Sequence, residues 1–160
     1  MAEEMNMRKA VEVYNTLIHM LDTRDWKYEK HEDQLLIKSG IRGDDLPIEF
    51  IVLVKPRNQV VQFYSSLPFR MPEDKRVDAA IAVCVANYGL VDGSFDYDIS
   101  DGEIRYRLTS SYRESTLGED LFEYMIMVAA STVDQYNDKF FMLSKGMMSV
   151  QQFIEQENNS

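Results

Sequence analysis

Between Pro72 and Leu108 the chain switches from a helical to an extended period across a single glycine, and this switch commits it to a mixed α+β fold. Pro72 costs little at a helix start, and Glu73 and Asp74 complement the positive end of the helix dipole. Val77, Ile81, Cys84 with Val85, and Tyr88 recur at helical spacing, so they are expected to form the buried stripe. Gly89 is expected to end the helix in the left-handed conformation. From Gly93 the period becomes two. Phe95, Tyr97 and Ile99 alternate with Asp96 and Asp98; after Ser100-Asp101-Gly102, Ile104, Tyr106 and Leu108 alternate with Glu103, Arg105 and Arg107. Asp-Gly between two alternating runs predicts a β-hairpin.

The flanking segments complete the class. Met7, Val11, Tyr14, Ile18 and Leu21 predict an N-terminal helix over about 6–24. Trp26 and Tyr28, then Leu35 and Ile37, bracket a polar turn at His31–Gln34 and read as a short hairpin. Gly40, Gly43, Asp44 and Asp45 predict a loop, followed by a strand at Ile48–Val54, a turn at Pro56-Arg57-Asn58 and a strand at Val60–Leu67. Four strands in meander order therefore precede the central helix. Within Ile48–Val54 both alternating sets are apolar, Ile51 and Leu53 as well as Ile48, Phe50, Val52 and Val54, so the strand is expected to be covered on both faces. The cover is either the chain's own helices and loops or an interface.

From Glu119 to about Lys145 there is no Pro or Gly, and Leu121, Met125, Val128 with Ala129, Thr132, Tyr136, Phe140 and Leu143 recur at helical spacing. At about 1.5 Å per residue such a helix is on the order of 40 Å long, so part of it is expected to overhang or break. Gly146 ends it, and Val150, Phe153 and Ile154 close the chain with a short amphipathic segment. The 160 residues read as one domain, 1–160, ordered over about 5–155. The fold class is α+β: an antiparallel sheet of a meander followed by a hairpin, packed by an N-terminal, a central and a long C-terminal helix.

Seventeen Lys and Arg against 27 Asp and Glu give a formal net charge of −10, which disfavours nucleic acid and anionic lipid as partners. The lone Cys84 forms no internal disulfide, and no apolar run reaches the roughly 20 residues of a membrane span. With Glu3 and Glu4 where a secretory signal carries positive charge, the expected location is the cytoplasm.

Chemistry is sparse. Cys84, on the predicted apolar stripe, reads as a small buried thiol. His19 and His31 read as exposed and lack the spacing of a metal pair. Asp96, Asp98 and Ser100 match the start of a calcium loop, but Gly102 comes one residue late and Arg107 stands where such a loop closes with Glu. Glu119, Asp120 and Glu123 suit a helix start, and no glycine loop of a phosphate-binding type is present. No catalytic residue, metal or cofactor is expected.

Methionine is abundant, ten in all, and concentrated late in the chain. Met127, Met142, Met147 and Met148 either fill the core or form an adaptable apolar surface, and with Ile51 and Leu53 they are the candidate protein-binding residues.

Pro72-Glu73-Asp74-Lys75-Arg76, the Ala- and Val-rich helix ending Asn87-Tyr88-Gly89, Gly93-Ser94-Phe95-Asp96-Tyr97-Asp98 and Asp101-Gly102-Glu103-Ile104-Arg105-Tyr106-Arg107 together resemble the YbjN domain family. The order of elements extends the likeness over most of the chain, while its specific letters lie within about 72–107. The resemblance implies the fold of type III secretion chaperones and a non-enzymatic bacterial sensory-transduction regulator. The alternative is a secretion chaperone that binds an extended effector segment, and less favoured is an enzyme or small-ligand binder. The chain departs from the chaperones in carrying one strand more before the central helix. A protein partner is expected, or a second copy: a homodimer follows from the doubly apolar strand and the overlong helix.

Overall fold

Alternation builds the sheet, and the turns decide its order. The computed structural model describes residues 1–160. Along the chain run α1 (Ala2–Thr23), β1 (Tyr28–His31), β2 (Leu36–Arg42), β3 (Pro47–Lys55), β4 (Val60–Arg70), α2 (Arg76–Tyr88), β5 (Ser94–Asp98), β6 (Glu103–Ser111), α3 (Glu119–Ser144) and α4 (Val150–Asn158). The six strands form one antiparallel sheet in the order β1-β2-β3-β4-β6-β5. The expected meander and hairpin are thus one sheet, joined where β4 pairs with β6.

Register places the buried apolar residues of β2 to β6 on one face. Ile37, Val52, Phe63 and Leu108 lie opposite one another across four strands, and all are buried. The adjoining row carries Ser65, Tyr106 and Phe95. Phe50 stacks on Phe63 with ring centroids 4.8 Å apart, and Phe95 meets Tyr106 edge to face at 5.5 Å. On this face α1 packs against β3, α3 against β3, β4 and β6, and α2 against β5. Tyrosine hydroxyls tie strands to their surroundings: Tyr14 donates to the Leu36 carbonyl at 3.1 Å and Tyr112 to the Lys55 carbonyl at 3.0 Å.

The other face of the sheet is open, which corrects the expectation that Ile48–Val54 is covered on both sides. Lys38, Glu49, Ser66 and Arg105 are exposed there, while Ile51 and Leu53 are half-buried. What shields the two apolar residues is their neighbours in the sheet, since Ile51 lies opposite Tyr64 and Leu53 opposite Leu36.

Four further expectations are corrected. In α1 the buried residues are Ala10, Val13, Tyr14, Leu17, Met20 and Leu21, whereas Met7 and Val11 are exposed. The apolar arc is wider than one stripe, and the sheet takes the edge with the smaller residues at its start. Gly40 belongs to β2 rather than to a loop, because the strand pairs with β3 as far as Arg42. Gly89 has φ −89°, so the left-handed residue of this connection is Gly93, with φ +70°. Helix α3 neither breaks nor overhangs, and it buries residues from Phe122 to Ser144. Its roughly 39 Å length matches the roughly 36 Å of the eleven-residue β4 beneath it.

The largest correction concerns α2. Ala79, Ala82, Val83 and Ala86 face the core, and the predicted stripe of Val77, Ile81, Cys84 and Tyr88 faces out. Alanines let the helix lie close to β5, α3 and α4, where the bulkier stripe would hold it away.

Candidate protein-interaction surfaces

The outward face of α2 is apolar and carries no charge. Val77 is 67% exposed and Tyr88 96% exposed, with Ile81 and Cys84 exposed between them. From Ala79 to Val91 there is no charged residue, in a chain of which 28% is charged. A solvated helix face ordinarily carries Lys, Glu or Arg, and the centres of protein interfaces lose them. Cys84 is therefore an exposed thiol on this face, not the buried one its periodicity suggested.

The end of α2 also closes one edge of the sheet. Asn87 donates from Nδ2 to the Phe95 carbonyl at 2.9 Å and accepts the Phe95 N–H at 2.7 Å. Its amide acts as a one-residue strand, satisfying the outer edge of β5. Sequence reading passed over Asn87, because an asparagine in the last turn of a helix carries no mark of a partner eight residues on. At the opposite edge, β1 is short and charged, with Glu29 and Lys30 among its four residues.

On the open face a shallow groove of about 500 Å³ lies over β1 to β4, with Gly40 and Ser66 as low points beside Lys38, Glu49, Ile51 and Tyr64. Arg105 lies over the Tyr64 ring at 4.8 Å and donates to Asp96 at 3.2 Å.

The six candidate residues fall in three places. Ile51 and Leu53 are on the open sheet face. Met127 is 53% exposed on the outer side of α3. Met142, Met147 and Met148 line a second groove of about 490 Å³ between the end of α3 and α4, together with Gln152 and Glu155. Met147 is 66% exposed, Met142 half-buried and Met148 buried. Met127 lies roughly 22 Å along α3 from Met142, so the four methionines do not form one patch.

The polar clusters are engaged with protein groups. Asp96 accepts from both Arg105 and Arg107 at 3.2 Å. Asp98 accepts from the Ser100 hydroxyl at 2.6 Å and its N–H at 2.9 Å, bonds that hold its carboxyl below the usual range. Glu119, Asp120 and Glu123 converge on Arg24, with Glu123 at 2.6 Å, and Glu119 also meets His19. His19 is exposed as expected, while His31 is half-buried beside Glu29, 2.6 Å away. No group of three or more His, Cys, Asp or Glu is placed to hold a metal ion. No helix is long and apolar enough to cross a membrane.

Known proteins of similar fold can be set beside this geometry. YbjN from E. coli superimposes with a TM-score of 0.57 at 8% identity, covering 76% of this chain and 86% of that one. A chain of the ExsC–ExsE complex superimposes with a TM-score of 0.56 at 10% identity, covering 79% of this chain and 91% of that one. At such identities the likeness is one of fold. No curated protein matches the sequence significantly. At the level of sequence, residues 14–142 match the YbjN family, described as "putative bacterial sensory transduction regulator", and the chain therefore belongs to the YbjN family.

Proposed function

We propose that this protein is a non-enzymatic interaction module of the regulatory YbjN type, working in the cytoplasm as a homodimer built on the outward face of α2. The observation that carries this reading is the charge-free, exposed stripe of Val77, Ile81, Cys84 and Tyr88. Two copies at a net charge of −10 repel each other over most approaches, so self-association favours a neutral patch. The stripe is also self-complementary in spacing. Four residues separate Val77 from Ile81 and Cys84 from Tyr88, on either side of the three-residue Ile81–Cys84 step. A second α2 laid antiparallel then sets Val77 opposite Tyr88 and Ile81 opposite Cys84, each pair occurring twice about the two-fold axis.

Light scattering tests this directly. The unaltered chain is expected to be a dimer across the micromolar range, and Ile81→Glu a monomer with an unchanged circular dichroism spectrum. A monomeric unaltered chain defeats the dimer. The interaction role has its own check, capture of partners from the native host by the tagged chain.

A second reading, a secretion-type chaperone, draws on the open sheet face with its shallow groove and on the likeness in fold to a chain of the ExsC–ExsE complex. It predicts co-purification with one unstructured segment, lost when Ile51 or Tyr64 is changed to Asp.

A further inference from the structure

The C-terminal helix α4 stands apart from the rest of the chain in how it is held. It lies beyond residues 14–142, the part that matches the family. Nine residues long, it is well below the roughly 12–15 at which an isolated helix is even marginal, so its order comes from the surface beneath it. A Ser149–Gln152 capping box organises its first turn.

Two of its side chains make its deepest contacts. Phe153 is fully buried and stacks on Phe140 with centroids 5.5 Å apart. One turn later, Glu157 accepts from the Tyr136 hydroxyl at 2.7 Å and from Lys139 Nζ at 3.0 Å, and only 10% of its side chain is exposed. Val150 and Ile154 are half-buried, and Gln151, Gln152, Glu155 and Gln156 face solvent. Before α4, the connection Lys145–Ser149 carries Gly146 at φ +70° and an exposed Met147, and Met148 is its one buried hydrophobic side chain. The floor belongs to rigid elements: Phe140 and Tyr136 on α3 both pack edge to face on Phe95 of β5, and α2 forms the opposite wall, where Val85 and Tyr88 line the same groove as Glu157.

We propose that the groove between α2 and α3 is a docking site for an amphipathic helix of a protein partner, one bearing an aromatic residue and a carboxylate four positions later, and that α4 fills it in cis as a releasable competitor. The chemistry of the partner is read from the segment seated there. An aromatic ring meets Phe140, and an acid meets the Tyr136 hydroxyl and the Lys139 ammonium. A helix presenting both at this spacing makes the same contacts, at a cost set by the opening of α4. Tyr88 borders both this groove and the stripe proposed for self-association, but the contacts that define the site, to Phe140, Tyr136 and Lys139, lie on α3.

The test uses a dye-labelled peptide spanning Met147–Ser160 as the probe, titrated with the full chain and followed by fluorescence anisotropy. The unaltered chain is expected to bind it weakly, and full-length Phe153→Ala, whose groove residues are intact, about ten-fold more tightly. Peptides carrying Phe153→Ala or Glu157→Gln are expected to bind less well than the unaltered peptide. Absence of binding to the Phe153→Ala chain, or equal binding to both chains, overturns the proposal. Hydrogen exchange on the unaltered chain gives a reading that needs no variant: α4 amides are expected to exchange at least about ten-fold faster than those of Ala129–Phe140, and a single common rate overturns it. Exchange of α4 between full-length copies, seen as concentration-dependent dimers that Phe153→Ala abolishes but Ile81→Glu does not, assigns the groove to a second copy and overturns the heterologous partner.

Discussion

Asn87 and Gly102 show how single residues hold the most informative part of the chain in place. The Asn87 amide satisfies both backbone groups of Phe95, and no other residue type of that length offers a donor and an acceptor on one planar group. Asn87→Ala leaves both groups unpaired under α2, at a cost of about 1–3 kcal/mol, and frees the β5 edge. The expected outcome is a lower denaturant midpoint and faster aggregation, measured by urea unfolding and by light scattering; an unchanged midpoint would show that water replaces the amide. Gly102 has φ +81°, donates its N–H to the Asp98 carbonyl at 2.8 Å and accepts the Met71 N–H at 2.9 Å. A Cβ there would run into the Met71 carbonyl as well as strain the backbone. Gly102→Ala is therefore expected to destabilise the protein by at least roughly 1–3 kcal/mol, read from the same urea curves.

At the scale of elements, the kind of structure was legible in the sequence and the orientation of the helices was not. Strand faces followed from alternation, because a period of two leaves only two choices and the apolar set fixes which one is buried. Helix α2 failed this test for a physical reason. Its large apolar residues and its alanines form two separate stripes, and hydrophobicity alone favours the large ones, whereas packing close to β5 requires the small ones. The candidate surface was consequently hidden inside a predicted core, and the Asn87 contact was invisible because it depends on where the hairpin lands. Met127 and Met142 lie roughly 22 Å apart along α3, and that separation divides them. Between α1 and α3 the charges make one clamp, with Arg24 facing Glu119, Asp120 and Glu123. Arg24→Ala leaves three carboxylates together, with the α3 N-terminus and the His19 contact of Glu119 remaining beside them. A loss of about 1 kcal/mol is expected at low ionic strength, shrinking as salt is added. A loss independent of salt would assign the effect of Arg24 to packing of its stem instead.

For the molecule as a whole, the layered arrangement of helices on one face of a sheet puts tyrosines at the boundary between the layers, and this gives the fold an alkaline limit. Tyr106 is fully buried and donates its hydroxyl to the Asp92 carbonyl at 2.7 Å. Burial, the largest cause, pushes its phenol up to about 12 from an ordinary value of 10.0. Tyr28 also reaches about 12, through burial and then its hydrogen bond to Asp22. Burial raises Tyr14 and Tyr112, and in Tyr136 the bond to Glu157 adds to it. The sign follows from which state loses its protons first. Below pH 10 these phenols are neutral in both the folded and the unfolded chain, and stability is complete. Between pH 10 and about 12 the unfolded chain ionises while the folded chain does not, so each rise in pH favours unfolding. The slope contributed by one such tyrosine is at most about 1.4 kcal/mol per pH unit. Urea midpoints are expected to be level approaching pH 10 and to fall steeply above it, with Tyr106→Phe, which has no proton to lose, falling less steeply after allowance for its lost hydrogen bond. Parallel slopes for the two proteins would mean that Tyr106 ionises in the folded state near its ordinary value, and that the contact between the α3 layer and the sheet is open to water at this point.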